Sequence, residues 1–271
     1  MKKIKISLLQ IEGKKLPIYN AKLIKKLLNN SLKFKPNLIC LPECSNIITK
    51  DKEFLYHNTT FQKDCPVLKE CIDFSKKNKV YINIGSLLLK KEGNSKLLNR
   101  SFFINRSGKV IKYYDKIHLF DVKINKNEIH KESDLFYSGN KIAYVKTYFG
   151  KIGLTICYDL RFPNIFQKLT KKGAKIILVP AAFTVPTGKD HWEILLRSRA
   201  IENTSFIVSA AQCGNHHGGR KTYGHSMIIN PWGKIIKKGS KFQTIINATI
   251  NIEEINQIRK KMPSIKNQKK F

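Results

Sequence analysis

Short apolar runs alternate with amphipathic segments from one end of this chain to the other, and that alternation limits the fold more than any other feature. Ile4 to Leu9, residues 38–42, Val80 to Leu88, residues 151–157, Ile176 to Pro180, Phe206 to Ala211 and Ile245 to Ile250 read as strands. Between them, Ile18 to Leu32 places Ile24, Leu27, Leu28 and Leu32 on one helical face. Residues 66–77, 164–172, 190–203 and 253–260 read as further helices. Asn105-Arg106-Ser107-Gly108 is a hairpin signal between 101–104 and 110–114, and Pro231-Trp232-Gly233 is another between 225–230 and 234–237. Strands interleaved with helices and hairpins predict an α/β fold, with two mixed sheets covered by helices.

The 271 residues suit one sizeable core, and no linker or repeat divides them. Lys5 and Gln10 interrupt the apolar stretch Ile4 to Ile11, so it reads as a strand rather than a signal peptide, and no run is long enough to span a membrane. Cysteines 40, 44, 65, 71, 157 and 213 form no CxxC pair, so we expect reduced thiols and a cytoplasmic protein. A formal charge of +32 raises the question of a nucleic-acid partner. Yet only seven of the 51 basic residues are arginine. The abundance of Lys, Asn and Ile together is what AT-rich codons encode. The lysines are scattered, apart from Lys234, Lys237, Lys238 and Lys241 around a hairpin and Lys260, Lys261, Lys266, Lys269 and Lys270 in the tail. The expectation is no specific nucleic acid and no membrane partner, with weak nonspecific binding at low salt.

Three short segments carry chemistry. Cys157 closes the apolar run Lys151 to Ile156, and Pro163 opens a helix shortly after it. A lone cysteine is ordinarily a core residue. At a strand-to-helix corner, however, it stands clear of the sheet, and a helix dipole there would favour its thiolate. Leu38-Ile39-Cys40-Leu41-Pro42-Glu43 is a strand ending on a carboxylate, and Lys116 follows Tyr113-Tyr114-Asp115. Each alone reads as a solvated charge. Together the three supply a nucleophile, a general base and a cation for an oxyanion. Cys213, His216 and His217 form a possible metal set, but no second cysteine pair stands at ligand spacing, so no metal is expected.

These three motifs, in this order, resemble the Glu-Lys-Cys triad of the nitrilase superfamily of carbon–nitrogen hydrolases. The resemblance runs from the first strand to about Ile258. It implies one domain over 1–258 with a basic tail at 259–271, folded as a four-layer α-β-β-α sandwich. It implies homodimers or larger homo-oligomers through the helix after Cys157 and the helix carrying Trp192. It also implies an enzyme that hydrolyses a small-molecule amide without any cofactor. Cys157 would be the nucleophile and Glu43 the base, needing a raised pKa to work at neutral pH. Lys116 and the Tyr158 N–H would hold the oxyanion, and Glu132 in Lys131-Glu132-Ser133 would support Lys116. Phe183, Thr184, Trp192, His216, His217 and Arg220 are the expected substrate-binding residues. The segment Ala210 to Ser226, with its paired histidines, resembles the deaminated glutathione amidase branch. Glu43-Cys44-Ser45-Asn46 and Asn164 depart from the usual pattern and leave the substrate open. An ω-amidase, an N-carbamoyl amidohydrolase and a nitrilase are the alternatives in the same class. A non-catalytic nucleic-acid-binding or scaffold protein is the alternative outside it.

Overall fold

The computed structural model describes residues 3–125 and 128–269; Lys270 of the basic tail lies outside them. Two sheets form. The first runs, in order, Thr244–Asn251, Lys3–Gln10, Leu38–Cys40, Tyr81–Lys90, Leu97–Ile104 and Val110–Asp115, with Phe136–Tyr137 paired beside Leu97–Ile104. The second runs Ile235–Lys238, Met227–Ile229, Phe206–Ser209, Ala174–Leu178, Gly150–Leu154 and Ala143–Thr147. Each has a parallel centre with antiparallel flanks.

Side-chain alternation along the strands stacks the layers. Ile4, Ile6, Leu8, Leu38 and Cys40 join one core with Ile152, Leu154, Ile176 and Leu178 of the second sheet. Their neighbours Leu9, Ile39 and Leu41 point the other way. They pack against Ala21, Ile24, Leu27 and Leu28 of the helix Pro17–Ser31 and Val67, Leu68 and Phe74 of the helix Pro66–Asn78. The helices Pro163–Lys171 and Glu193–Asn203 cover the second sheet through Phe166, Leu169, Leu196 and Ala200. The result is the expected four-layer α-β-β-α sandwich.

Two of the expected elements near the site differ in extent, and the helix Lys52–Asn58 and the strands Asp121–Asn125, Glu128–Lys131, Ala143–Thr147, Cys213–Asn215 and Lys221–Tyr223 were not read from the sequence. The strand read as 151–157 ends at Leu154, because Cys157–Arg161 is a separate 3-10 turn. The helix read as 190–203 begins earlier, with a turn at Val185–Thr187 and a π-helical stretch Gly188–Trp192 before Glu193–Asn203. The last helix, Glu254–Lys261, follows the reading of 253–260, and Arg259 Nε donates to Thr204 Oγ1 at 3.1 Å.

Candidate active site

The parallel strands all point their carboxyl ends to one side of the sandwich, and the site is built there. Glu43 sits just beyond Leu38–Cys40. A bulge in Tyr81–Lys90 between Ile84 and Leu87 receives its loop: Ser86 N donates to Pro42 O and Ser86 Oγ accepts from Cys44 N. Gly85 makes the fit possible. A Cβ there would stand 2.2 Å from Leu41 O and 2.4 Å from Pro180 Cβ. Pro180 O in turn accepts from Cys157 N at 2.8 Å. Gly85 thus lets the Glu43 loop and the Pro180 segment bonded to Cys157 approach each other across the two sheets. Gln212 Nε2 secures the same loop by donating to the Glu43 and Cys44 carbonyls at 3.0 and 3.3 Å.

Lys116 follows Val110–Asp115. Its backbone is pinned on both sides, donating to Asn99 O and accepting from Gly139 N. Beside it the bidentate Arg100–Asp115 pair, at 2.6 and 2.9 Å, locks the strand register. Lys116 Nζ lies 2.9 Å from Glu43 Oε1 and 3.0 and 2.8 Å from the two Glu132 oxygens, and is 2% exposed. Glu132 also accepts from Phe120 N at 2.6 Å. Burial alone favours the neutral amine, but the charges of Glu132, Glu43 and then Cys157 outweigh it and hold Lys116 well above the ordinary lysine range.

Cys157 opens its 3-10 turn in the left-handed region, at φ +47°, a conformation that costs a non-glycine residue free energy. Asp159 holds the turn. One oxygen accepts from Ile156 N at 2.8 Å and from Tyr114 OH at 2.7 Å; the other accepts from His118 N at 3.2 Å and pairs with His118 Nδ1 at 2.7 Å. One buried carboxylate therefore ties the Cys157 turn to the segment on either side of Lys116.

Two electrostatic expectations need correction. The helix Pro163–Lys171 starts six residues beyond Cys157, so its dipole does not act on the sulfur. Burial, and then the Glu43 charge, push the Cys157 thiol well above its ordinary range, so it is a protonated thiol at rest. Glu43 does not have a raised pKa either. Burial pushes it up, but the Lys116 charge and hydrogen bond, then Cys157 and Arg220, hold it below the usual carboxylate value.

Glu43, Lys116, Glu132 and Cys157 line one cavity of about 420 Å³, together with Tyr158, Phe183, Thr184 and Arg220. The exposed lysines 50, 52 and 131 also border it. Three expected substrate-binding residues do not line it. Trp192 is 1% exposed behind Phe183, and its indole N–H donates to His225 O at 2.9 Å. His216 is buried, with Nδ1 donating to Gly13 O at 3.2 Å, which leaves Nε2 to accept from Thr222 Oγ1 at 2.7 Å. Burial lowers its pKa to about 4, so it is a neutral, fully bonded core histidine. His217 packs on Phe54 and pairs with Thr49 Oγ1 at 3.1 Å. The histidines support the loop that carries Arg220, rather than reaching ligand. Asn99, Gln212 and Asp159 were missed in the sequence. Of these, only Asp159 carried a signal, its place two residues after Cys157.

The four-layer sandwich is the fold expected of a carbon–nitrogen hydrolase, with an acid, an ammonium and a thiol gathered in its cavity. The comparisons agree: the carbon-nitrogen hydrolase profile matches residues 5–260, and the chain belongs to that family and hydrolyses amides. Among its relatives is the deaminated glutathione amidase of Yersinia enterocolitica, 37% identical over 236 residues, 86% of this chain and 82% of that one. The Dictyostelium discoideum enzyme of the same name is 35% identical over 257 residues, 92% and 88% of the two chains. The C. elegans NitFhit protein superposes with a TM-score of 0.92 at 30% identity, covering 98% of this chain and 65% of that longer one. Saccharomyces cerevisiae Nit3, of the nitrilase superfamily, superposes at 0.87 and 29% identity, covering 97% and 95%.

Proposed function

We propose that the protein is a cysteine-dependent amidase acting on a small carboxylate-bearing amide, deaminated glutathione in the first instance. The observation that carries this is Lys116 held between Glu43 and Glu132 in the cavity that Cys157 lines. The Cys157 sulfur attacks the amide carbon while Glu43 takes the thiol proton. The carbonyl oxygen becomes an oxyanion facing the Lys116 ammonium and the Tyr158 N–H. Collapse breaks the C–N bond as Glu43 returns the proton to the departing amine, leaving a thioester. Water then attacks the thioester, Glu43 takes its proton, and acid and thiol are released. No step needs a metal or an organic cofactor.

The carboxylate preference rests on Arg220, whose guanidinium borders the cavity and acts electrostatically on Glu43. The names of the relatives support the particular substrate. The test is kcat/KM for deaminated glutathione against 2-oxoglutaramate. A preference for the first, with release of a dipeptide, supports the assignment. A preference for the second, with release of ammonia, transfers it to an ω-amidase. We also propose a homo-oligomer through the outer face of the second sheet, where Ile194 and Ile201 of the helix Glu193–Asn203 and Trp232 in the adjoining hairpin turn are half-exposed or more. Light scattering on the purified protein decides it, a monomer mass being the contrary result.

A further inference from the structure

We propose that Asn99 is a positioning residue of this site: its amide holds Glu43 and Glu132 in fixed orientation about Lys116 and decides which oxygen of Glu43 is left for the nucleophile. This rests on the amidase mechanism above.

Asn99 lies in Leu97–Ile104, opposite Leu88, and is 1% exposed. It bonds to all three residues, to the two carboxylates through its side chain and to Lys116 through the main chain. Its backbone carbonyl accepts from Lys116 N at 3.0 Å. Its Nδ2 donates to Glu43 Oε1 at 3.0 Å and to Glu132 Oε1 at 3.2 Å. Two like charges crowd one ammonium here, and Asn99 is a neutral donor between them. The two N–H groups spread the carboxylates into one arrangement, which a single flexible ammonium does not do alone.

The consequence at Glu43 follows from counting lone pairs. Oε1 accepts from both Lys116 Nζ and Asn99 Nδ2, so both its lone pairs are committed. Oε2 accepts from Ala182 N at 2.9 Å and keeps one. The Ala182 N–H also acts on the Cys157 sulfur. The oxygen with spare capacity is therefore the one on the nucleophile's side. Without Asn99, Oε1 regains a lone pair, and the thiol proton has two places to go.

Asn99 carries a cost that packing does not explain. Its Oδ1 is buried and has no hydrogen-bond partner among the described residues. Such an acceptor is destabilising, and an apolar side chain of the same size avoids it. Turning the amide over would place Oδ1 against two carboxylates, so the charges fix its orientation. The chain keeps an amide whose useful half is the half facing Glu43 and Glu132.

The groups that face Glu43 are Lys116, Cys157, Arg220, Glu132 and the adjacent Cys44 thiol. Removing the Asn99 donor takes a hydrogen bond from the ionised form of Glu43 and favours its protonated form. The acid limb of kcat/KM then moves to higher pH.

The experiment is Asn99→Leu in the full chain, with pH profiles of turnover and of Cys157 alkylation by iodoacetamide. Loss of a hydrogen bond to a charged group predicts a kcat reduced about 10- to 100-fold. KM should stay within about twofold, because the lost contact is not to substrate. The acid limb of both profiles should rise by roughly half to one unit. A kcat near wild type with unmoved limbs, or a loss confined to KM, overturns the proposal. If Asn99→Leu does not fold, Asn99→Ser takes its place with the same expectations, since a single hydroxyl cannot bridge both carboxylates. Cys157→Ala is run alongside. If it stays active the mechanism itself fails; if it is dead while Asn99→Leu behaves as wild type, only this inference fails.

Discussion

Replacing Lys116 by Met removes the cation that bridges Glu43 and Glu132, and it should invert the pH dependence of the stability that these carboxylates contribute. Glu43 is 3% exposed, Glu132 13% and Lys116 2%, so the variant leaves two carboxylates facing each other nearly out of water. Breaking a buried ion pair by removing one partner costs about 3–5 kcal/mol. At a few degrees per kcal/mol for a chain of this size, Tm should fall by roughly 6–20 °C near neutral pH. The sign against pH follows from linkage. In the wild type the Glu43 pKa is depressed in the folded state, so its contribution is present above the unfolded value and lost as pH falls through the folded one. Without Lys116 the two carboxylates disfavour joint ionisation, and the folded pair binds a proton more tightly than the unfolded chain. That contribution is present below the unfolded carboxylate pKa and lost as pH rises through the folded one. Thermal unfolding followed by circular dichroism across mildly acidic to mildly alkaline buffers is the assay. The gap between wild type and Lys116→Met should narrow towards acid. A variant as stable as wild type at every pH, or a gap that widens towards acid, refutes the reasoning.

Three further outcomes follow from the geometry. Tyr114→Phe removes one donor from buried Asp159 and should cost about 1–2 kcal/mol of stability, read as a Tm drop of a few degrees, with kcat lowered because the Cys157 turn loosens. Arg220→Ala should lower kcat/KM for a carboxylate-bearing amide by about 10- to 150-fold, and less for an uncharged amide of the same size. His216→Asn should leave kcat/KM within about twofold while lowering Tm, because His216 is a neutral structural residue that does not line the cavity; a selective loss against anionic substrates would contradict this.

The fold was legible wherever burial imposes a period. The alternation of Ile4, Ile6 and Leu8 with Leu9, and of Leu38 and Cys40 with Ile39, is the two-core stacking itself written along the strands. Glu43, Lys116, Glu132 and Cys157 were legible because short motifs carry them, and the fold brings all four to one cavity. The pKa arguments were not legible, because they depend on contacts between segments far apart. Placing Cys157 at the corner where Pro163 opens a helix overlooked the 3-10 turn Cys157–Arg161 that separates the two. Reading Glu43 as raised overlooked its direct pairing with Lys116, 73 residues away. Neighbouring position also misled at 216–220. His216 turns into the body of the protein and His217 towards Phe54, while Arg220 alone of the three lines the cavity. Asn99 gave no signal at all, since nothing in its own segment distinguishes it from any other polar residue on a strand.

The central claim is that Cys157 carries the acyl group between two half-reactions. Mixing enzyme with excess deaminated glutathione, quenching in acid within the first turnovers and measuring intact and peptide masses tests it directly. The expected product is a protein population heavier by the 2-oxo diacid less one water, with the added mass on the peptide containing Cys157. Cys157→Ala should form neither adduct nor product. Turnover by Cys157→Ala, or an acyl group carried on another residue, would contradict it.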